Sequence, residues 1–367
     1  MTKKFILIGA RPDNKLTSNP GGQLTASIGL HLFAKENNLK LFIVDTLQTS
    51  FPIPPIRFRI YKGLGRIILL INLLINNKIQ GVIIFSSSGL SFIERTMQAL
   101  ITRVMGVSTI LFIRDGFFIK AIQESNAQKI VAKFLLKIPN LIGSQGGKWN
   151  RVYSRLGVPN KKVIQIPNWL PRNSSISNTP IEVKKERFRF IFVGWLVKEK
   201  GIREVLLSIE NLSADFDFDF VFVGGGTLEN FVNVYIKNNK YKNVKCTGWL
   251  GSDEVFSQLS RSHVLVLPSY AEGFPNVVLE AMSLGLPCIC SDVGGISGSI
   301  KNNVNGLLIN VQDWKGLRDA MKDYLINPFK VYQHSKNTLD IVRTNHNWNI
   351  NCRKLFDSLN FNRKGMK

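Results

Sequence analysis

Short apolar segments alternate with longer helix-like segments along almost the whole chain. In the first half, strands are predicted at residues 5–9, 41–44, 82–85, 109–113, 141–144 and 163–166, and helices at 23–36, 66–77, 92–105, 127–137 and 148–156. The second half repeats the alternation, with strands predicted at residues 188–193, 219–223, 244–247, 264–267, 288–291 and 307–309. Such alternation is typical of βαβ units, in which the strands form a parallel sheet.

A polar segment separates the two alternating halves. Residues 171–180 read PRNSSISNTP, which is rich in serine and asparagine and bracketed by prolines, as interdomain linkers are. A chain of 367 residues is also long enough for two cores. We therefore expect an N-terminal domain at 1–172, a linker at 173–186, a C-terminal domain at 187–345 and a final segment at 346–367.

Two glutamates lie eight residues apart where a predicted strand passes into a predicted helix. Glu272 follows the apolar run 264–267, and Glu280 lies inside the next helix, which Gly285 and Pro287 are expected to end. In open α/β sheets, ligands bind at the carboxyl ends of the strands. Two carboxylates at such a place favour a hydroxyl-rich ligand such as a nucleotide sugar.

The ordered motifs between residues 244 and 309 resemble the donor-binding region of a known enzyme family. The matching pieces are Gly248, Pro268-Ser269, 272–275, 280–282, 285–287, 292–295 and 305–308. They resemble the retaining GT-B glycosyltransferases with the E-x7-E motif, that is, glycosyltransferase family 4 or glycosyl transferases group 1. The resemblance implies an α/β fold of two Rossmann-like domains that face each other across a cleft. It also implies a C-terminal helix that crosses back to the first domain, docking through Trp348, Leu355, Phe356 and Leu359.

The resemblance implies a role for several donor-side residues. Glu280 would accept hydrogen bonds from a ribose, while Glu272 and Lys200 would be catalytic, facing the transferred sugar and the diphosphate. The other implied donor contacts are backbone groups at Gly194, Gly273, Phe274, Pro275, Gly294 and Gly295, the last two through exposed amides. Structural alternatives remain open: a surface glutamate at 280, a loop carboxylate at 272 and simple packing at Phe274. Trp195 stands where the family has a diphosphate-binding arginine, and Lys198 or Arg203 would have to compensate.

The first half offers fewer candidate residues. Gly21 and Gly22 follow the first strand and resemble the family's glycine-rich loop, with Gly22 near the donor and Gly21 near the acceptor; a plain turn is the alternative. Arg114 and Asp115 end the fourth strand, where many members of the family have a histidine that this chain lacks. Arg114 is predicted to bind an acceptor phosphate and Asp115 to act on the acceptor hydroxyl, against the alternative of a structural salt bridge.

Positive charge is concentrated in the first half of the chain. Residues 1–180 hold 24 lysines and arginines against 6 aspartates and glutamates, whereas the remainder holds 24 against 19. Nucleic acid, anionic lipid or a phosphorylated acceptor would each suit this charge, and an ordinary solvated surface in a chain rich in lysine and asparagine is the alternative. No nucleic-acid-recognition motif is found, so no specific nucleic acid is expected. Basic residues flank apolar segments at 57–75 and 117–137, which favours contact with the anionic inner surface of a membrane. We interpret residues 67–75 themselves as an ordinary buried helix.

The family resemblance, together with these observations, implies a retaining transferase. It would move a sugar from a nucleoside diphosphate sugar to a hydroxyl of a glycan or lipid-linked oligosaccharide in cell-surface polysaccharide biosynthesis. Neither a metal nor a cofactor is expected besides the donor substrate. Four cysteines without a disulfide framework favour the cytoplasm, with peripheral attachment to the membrane. The alternative is a UDP-sugar epimerase of the same fold.

Overall fold

The chain divides into two compact units. A computed structural model describes residues 2–12, 22–47, 55–170, 176–183 and 187–361, with residue 361 described by its backbone alone. Unit 1 comprises Met1–Arg172 with Trp348–Lys367, and unit 2 comprises Asn173–Asn347. Of the predicted linker, residues 173–175 and 184–186 lie outside the described residues.

Unit 1 is built on a parallel sheet of six strands. They are β1 (Lys4–Gly9), β2 (Lys40–Asp45), β3 (Ile79–Ser86), β4 (Ser108–Ile113), β5 (Leu141–Ser144) and β6 (Val163–Gln165), in the order β2-β1-β3-β4-β5-β6. The helices of its first segment are α1 (Gly22–Glu36), α2 (Ile56–Asn76), α3 (Leu90–Val104), α4 (Phe117–Glu124), α5 (Asn126–Leu135) and α6 (Lys148–Arg155).

Unit 2 contains a second parallel sheet of six strands. They are β7 (Phe188–Val193), β8 (Phe218–Val223), β9 (Val244–Cys246), β10 (Val264–Leu267), β11 (Cys288–Ser291) and β12 (Gly306–Ile309), in the order β12-β11-β10-β7-β8-β9. Its helices are α7 (Ile202–Leu212), α8 (Glu229–Asn238), α9 (Ser252–Ser260), α10 (Asn276–Ser283), α11 (Ile296–Ser299), α12 (Trp314–Ile326) and α13 (Pro328–Asn345).

The order of the second sheet creates a switch point between β7 and β10. From β7 the chain adds β8 and β9 on one side, and it then returns to add β10, β11 and β12 on the other. The loops that follow β7 and β10 therefore start from neighbouring strands, but they lead to strands on opposite sides of this pair. In open α/β sheets the crevice at such a point is the place where ligands bind.

The last helix, α14 (Trp348–Phe361), packs on unit 1. The Phe356 ring lies 4.9 Å from the Phe5 ring and 5.5 Å from the Phe33 ring, measured between centroids. Trp348 Nε1 donates a hydrogen bond of 2.9 Å to the Gly29 carbonyl. A Cβ atom at Gly81 would lie 2.8 Å from Leu359 Cβ, so glycine at this position lets the helix approach the sheet. The expected return of the C-terminal helix is confirmed.

All twelve predicted strands are confirmed, but two helical predictions need correction. The helix predicted at 66–77 begins at Ile56, directly after Pro55, and α4 was not predicted at all. Residues 67–75 are not an ordinary buried helix, because Ile68 and Ile75 are each 68% exposed. Within the described part of the chain, no helix combines the length and hydropathy that crossing a membrane requires.

Candidate active site

Glu272 and Lys200 meet at the switch point of the second sheet. Glu272 lies in the loop between β10 and α10, and Lys200 lies in a 3-10 turn (Lys198–Lys200) that follows β7. Lys200 Nζ donates a hydrogen bond to Glu272 Oε1, and the Glu272 side chain is 11% exposed. An ammonium group has three donors, and the described residues offer Lys200 Nζ no hydrogen-bond acceptor besides Glu272. Two donors therefore remain available to an anion.

Backbone contacts hold the two loops together. The Tyr270 N–H donates to the Glu199 carbonyl at 2.8 Å, and the Tyr270 hydroxyl donates to Glu204 Oε1 on α7 at 2.6 Å. Gly201 has a φ of 72°, and a Cβ atom there would lie 2.3 Å from the Pro268 carbonyl oxygen. The contact of Glu272 with Lys200 thus rests on a close approach that only glycine permits.

Glu280 is a half-buried carboxylate on α10, the helix that follows the Glu272 loop. Burial raises its pKa. No described residue donates a hydrogen bond to the carboxylate, whereas its own carbonyl accepts one from the Ser283 hydroxyl at 2.7 Å. Because burial of an unpaired carboxylate is costly in free energy, such groups are typical of binding sites. Its two oxygens suit two adjacent hydroxyls of a ligand.

Gly294 and Gly295 support the acidic loop, which for Gly295 corrects the prediction of an exposed amide. Both glycines are buried, and the Gly295 N–H donates to the Gly273 carbonyl at 2.8 Å. Gly294 has a φ of 54°, and a Cβ atom there would lie 2.0 Å from the Glu272 carbonyl oxygen. The Gly295 amide is therefore already used inside the protein.

The residues between the two glutamates have different surroundings. Phe274 is 5% exposed, and its ring centroid lies 5.7 Å from that of His346. This placement favours the packing alternative for the Phe274 side chain, while its backbone stays in the loop. Pro275 directly precedes α10 as its cap residue rather than lying in the first turn, and Gly273 is buried.

Trp195 occupies the position of the missing arginine beside Gly194. Its ring lies 4.9 Å from that of Trp249 in an edge-to-face contact, and the two residues are 50% and 46% exposed. Gly194 adjoins Gly224, where a Cβ atom would lie 2.0 Å from the Gly194 carbonyl oxygen. The Arg203 guanidinium lies 5.5 Å from the centroid of the Phe231 ring. This contact does not place Arg203 beside Gly194, where the family has its diphosphate-binding arginine. Trp249 was missed by the sequence analysis, although it directly follows the motif residue Gly248.

In unit 1, Arg114 is a desolvated cation at the end of β4. Its Nη2 donates to Asn168 Oδ1 at 2.8 Å, and its guanidinium lies 4.9 Å from the Phe85 ring centroid and 6.0 Å from that of Trp169. Burial lowers its pKa to about 10. No carboxylate of the described residues forms an ion pair with it, so the structural salt bridge that was left open is absent there.

Both oxygens of the Asp115 carboxylate accept hydrogen bonds from neighbouring residues. Oδ2 accepts from the Ser88 N–H at 3.1 Å and from the Ser88 hydroxyl at 2.5 Å, while Oδ1 accepts from the Phe117 N–H at 2.9 Å. These bonds tie the β3 loop to the start of α4 and favour a structural role over the predicted catalytic one. Gly22 begins α1 and is exposed, and Gly21 lies outside the described residues.

The described residues contain no cluster of three or more histidine, cysteine or acidic side chains that could hold a metal. The sequence does contain the Asp-x-Asp spacing of some metal sites, at Asp215, Asp217 and Asp219, which the sequence analysis overlooked. Asp217 and Asp219 pair with Arg187 at 2.9 and 3.3 Å. They lie at the amino end of β8, the edge of the sheet opposite to Glu272.

Comparison with known proteins identifies relatives of this chain. Residues 176–339 match the family model described as glycosyl transferases group 1. TuaC of Bacillus subtilis, named as a candidate glycosyltransferase of teichuronic acid biosynthesis, is 37% identical over 36% of this chain and 32% of its own. An Escherichia coli UDP-Gal:alpha-D-GlcNAc-diphosphoundecaprenol alpha-1,3-galactosyltransferase is 27% identical over 80% of this chain and 79% of its own. The chain thus spans only about a third of the first curated relatives that it matches.

Solved structures share the fold at low sequence identity. HepE of Anabaena in complex with UDP matches with a TM-score of 0.69 and 13% identity, over 98% of this chain and 99% of that one. Glycosyltransferases of the GT-B class are among the structural neighbours. The α/β GT-B fold predicted from the sequence is therefore confirmed.

Proposed function

We propose, since residues 176–339 belong to the glycosyl transferases of group 1, that this chain is a retaining glycosyltransferase. It moves a sugar from a nucleoside diphosphate sugar onto a hydroxyl of a lipid-linked glycan during cell-surface polysaccharide biosynthesis. The relatives named above support this direction, because the E. coli protein is named for a UDP-galactose donor and a diphosphoundecaprenol acceptor. A UDP-sugar is accordingly the proposed donor.

One observation carries the proposal. The half-buried carboxylate of Glu280, which accepts no hydrogen bond from the described residues, lies on the helix that follows the loop of the Glu272–Lys200 pair, at the switch point of the sheet. A ribose diol satisfies the two oxygens of Glu280, and a diphosphate satisfies the two remaining donors of Lys200. A nucleoside diphosphate sugar carries both groups, and its sugar then lies against Glu272.

The proposed reaction needs charge stabilisation more than proton transfer by a side chain. The bond between the anomeric carbon and the diphosphate oxygen breaks, and negative charge grows on the diphosphate near Lys200. The acceptor oxygen forms its bond to the anomeric carbon on the face that the diphosphate leaves, and its proton passes to a diphosphate oxygen. Configuration is retained, and the products are a glycoside and a nucleoside diphosphate.

Unit 1 would supply the acceptor site, and the protein would work in the cytoplasm at the inner membrane surface. Arg114 supports this part of the proposal as a buried guanidinium without a carboxylate partner among the described residues, suited to a phosphate of the acceptor. The proposed reaction routes no step through a metal ion.

Product analysis tests the proposal and its alternative together. With an acceptor extract and a panel of UDP-sugars, the wild type should release UDP and form a glycoside, and Glu272→Ala should lose the activity while its thermal unfolding remains cooperative. Lys200→Ala should lower kcat by about 10²–10³. Glu182→Ala, an exposed glutamate of unit 2, serves as the matched control and should keep full activity. An altered free nucleotide sugar without UDP release would identify an epimerase, and near-full activity of Glu272→Ala would refute the role of that residue.

A further inference from the structure

Helix α3 exposes the face that a helix in a soluble protein normally buries. Its exposed stripe is apolar and its members are 42% to 78% exposed: Leu90, Ile93, Met97, Leu100 and Val104. Its buried residues are Phe92 and Ala99 together with four polar ones, Arg95, Thr96, Gln98 and Thr102. The stripe follows the spacing of three and four residues that places side chains on one side of a helix. Among the described residues, these five side chains are exposed rather than packed in the core of unit 1.

Helix α2 continues this apolar face and carries only positive charge. Tyr61, Leu64, Ile68 and Ile75 are more than half exposed, and every charged residue of the helix is an arginine or lysine. A bidentate ion pair joins α2 to α3: Arg66 Nε and Nη2 donate to the two Glu94 carboxylate oxygens at 2.8 and 2.9 Å. Glu94 is the acidic residue of α3, and this ion pair neutralises its charge. The exposed faces of α2 and α3 therefore carry little negative charge.

Helices α4 and α5 extend the surface on the same side of the sheet. Buried residues of α2, α3, α4 and α5 all belong to one core cluster, so their exposed faces point away from the same side of the sheet. The Phe92 and Phe118 rings of α3 and α4 lie 5.0 Å apart, and Arg103 Nη1 donates to the Ile138 carbonyl after α5 at 3.1 Å. On α5, Ile130 and Phe134 are more than half exposed, and each directly follows a lysine, Lys129 and Lys133.

We propose that the exposed faces of α2, α3 and α5, which we call the basic-apolar surface, dock unit 1 on a bilayer that contains anionic lipid. Apolar side chains beside lysines and arginines are the combination that binds at the interface of such a bilayer. A second copy of this chain is a poorer occupant, because it would bring two arrays of positive charge together. An apolar protein partner would not account for the basic residues that border the stripe. The proposal goes beyond sugar transfer, and it places the acceptor-binding unit where a lipid-linked acceptor is found.

Vesicle co-sedimentation of the full chain tests the proposal. One vesicle is phosphatidylcholine alone, and the other contains equal parts of phosphatidylcholine and phosphatidylglycerol. One variant removes the stripe (Ile93→Ser, Met97→Ser and Leu100→Ser), and another reverses charge (Lys129→Glu and Lys133→Glu). Each has a matched control in unit 2: Val234→Ser, Ile326→Ser and Phe329→Ser, which are also exposed, and Lys237→Glu with Lys242→Glu.

The wild type should bind the anionic vesicles preferentially, and each variant of the surface should bind them roughly tenfold more weakly or worse. Both unit 2 controls should bind as the wild type does. Equal binding to the two vesicles, or unchanged binding by the stripe variant, would overturn the proposal. A wild-type dimer that the stripe variant converts to a monomer, without vesicle binding by either, would identify a self-association surface and overturn it as well.

The same protein samples separate this proposal from the proposed transferase function. UDP should raise the thermal unfolding temperature of the wild type and of the stripe variant equally, since the stripe lies in unit 1 and the donor residues in unit 2. Loss of the UDP effect with intact vesicle binding would count against the donor site alone. Loss of vesicle binding with an intact UDP effect would count against the basic-apolar surface alone.

Discussion

At the scale of single residues, the two glutamates of the motif have opposite surroundings. Glu272 is paired with Lys200, whereas Glu280 is half-buried without a hydrogen-bond donor among the described residues. A buried carboxylate in this state keeps its full capacity to accept hydrogen bonds but carries the free-energy cost of desolvation. A ligand with two adjacent hydroxyls would recover part of that cost on binding.

Glu280→Gln should weaken UDP binding by about 2 kcal/mol, since hydrogen bonds to a charged group contribute about 1.5–3 kcal/mol each. The pH dependence gives a second test. Burial raises the pKa of Glu280. Its carboxylate therefore becomes protonated at a higher pH than that of an ordinary glutamate, whose pKa is about 4.3. Calorimetric titration should show wild-type affinity falling as the pH is lowered towards that raised pKa.

The amide side chain introduced by Glu280→Gln cannot titrate, so any fall in the affinity of that variant over the same pH range reports groups other than residue 280, such as the phosphate of UDP. Glu182→Gln, at an exposed glutamate of unit 2, is the matched control and should follow the wild type. Parallel pH profiles for the wild type and Glu280→Gln would contradict a contact between Glu280 and the nucleotide.

Trp195→Arg should strengthen UDP binding several-fold and make it more sensitive to salt. The new guanidinium would stand beside Gly194 with a bidentate fork for phosphate oxygens, and interactions of exposed charges are screened by salt. The variant loses the contact with Trp249, so Trp195→Ala is the control that measures this loss alone. If Trp195→Arg binds UDP no better than Trp195→Ala, the diphosphate does not pass this position.

At the scale of elements, the strand–loop–helix units could be predicted, whereas the contacts between them could not. Short apolar runs and glycine or proline stops are local signals, and they located β10, Glu272 and the end of α10. The Glu272–Lys200 contact joins residues 72 positions apart, and it depends on β10 lying beside β7. Strand order is not encoded by spacing along the chain. For the same reason, the partners of Asp115 and of the Gly295 amide were not foreseen.

Gly294→Ala should lower the free energy of unfolding by about 2 kcal/mol or more and abolish UDP binding. A Cβ atom there meets the Glu272 carbonyl oxygen at 2.0 Å, and its φ of 54° is strained for alanine. Gly65→Ala is the control, because a Cβ atom there meets nothing within 4 Å, and alanine inside α2 should stabilise by about 0.5–1 kcal/mol. Denaturant unfolding measures both, and equal stability of the two variants would show that the loop tolerates a side chain at 294.

At the scale of the whole molecule, the last helix completes the core of unit 1. Phe356 contacts Phe5 and Phe33 within the core cluster of unit 1 that includes β1 and α1. Residues 348–361 therefore have to be translated before unit 1 can bury this face of its sheet. The docking residues were predictable from the family resemblance, but the space that Gly81 leaves for Leu359 was not visible in the sequence.

Phe356→Ala should lower the free energy of unfolding by about 3–5 kcal/mol through the loss of buried area and the cavity left behind. Ile350→Ala, at a position of the same helix that is 59% exposed, should change it by less than about 0.5 kcal/mol. Calorimetric unfolding compares the two variants. A small effect of Phe356→Ala would mean that α14 is not needed for the stability of unit 1.

The donor site is tested most directly by thermal unfolding with nucleotides. UDP at a concentration about 100 times its dissociation constant should stabilise the wild type by about 2.7 kcal/mol. The stabilisation should be much smaller in Glu280→Ala and unchanged in Glu182→Ala. This pattern is expected with UDP or with another member of a panel of nucleoside diphosphates and nucleoside diphosphate sugars. If no member of the panel raises the unfolding temperature of the wild type, the proposal of a nucleotide-sugar donor site at Glu272 and Glu280 is contradicted.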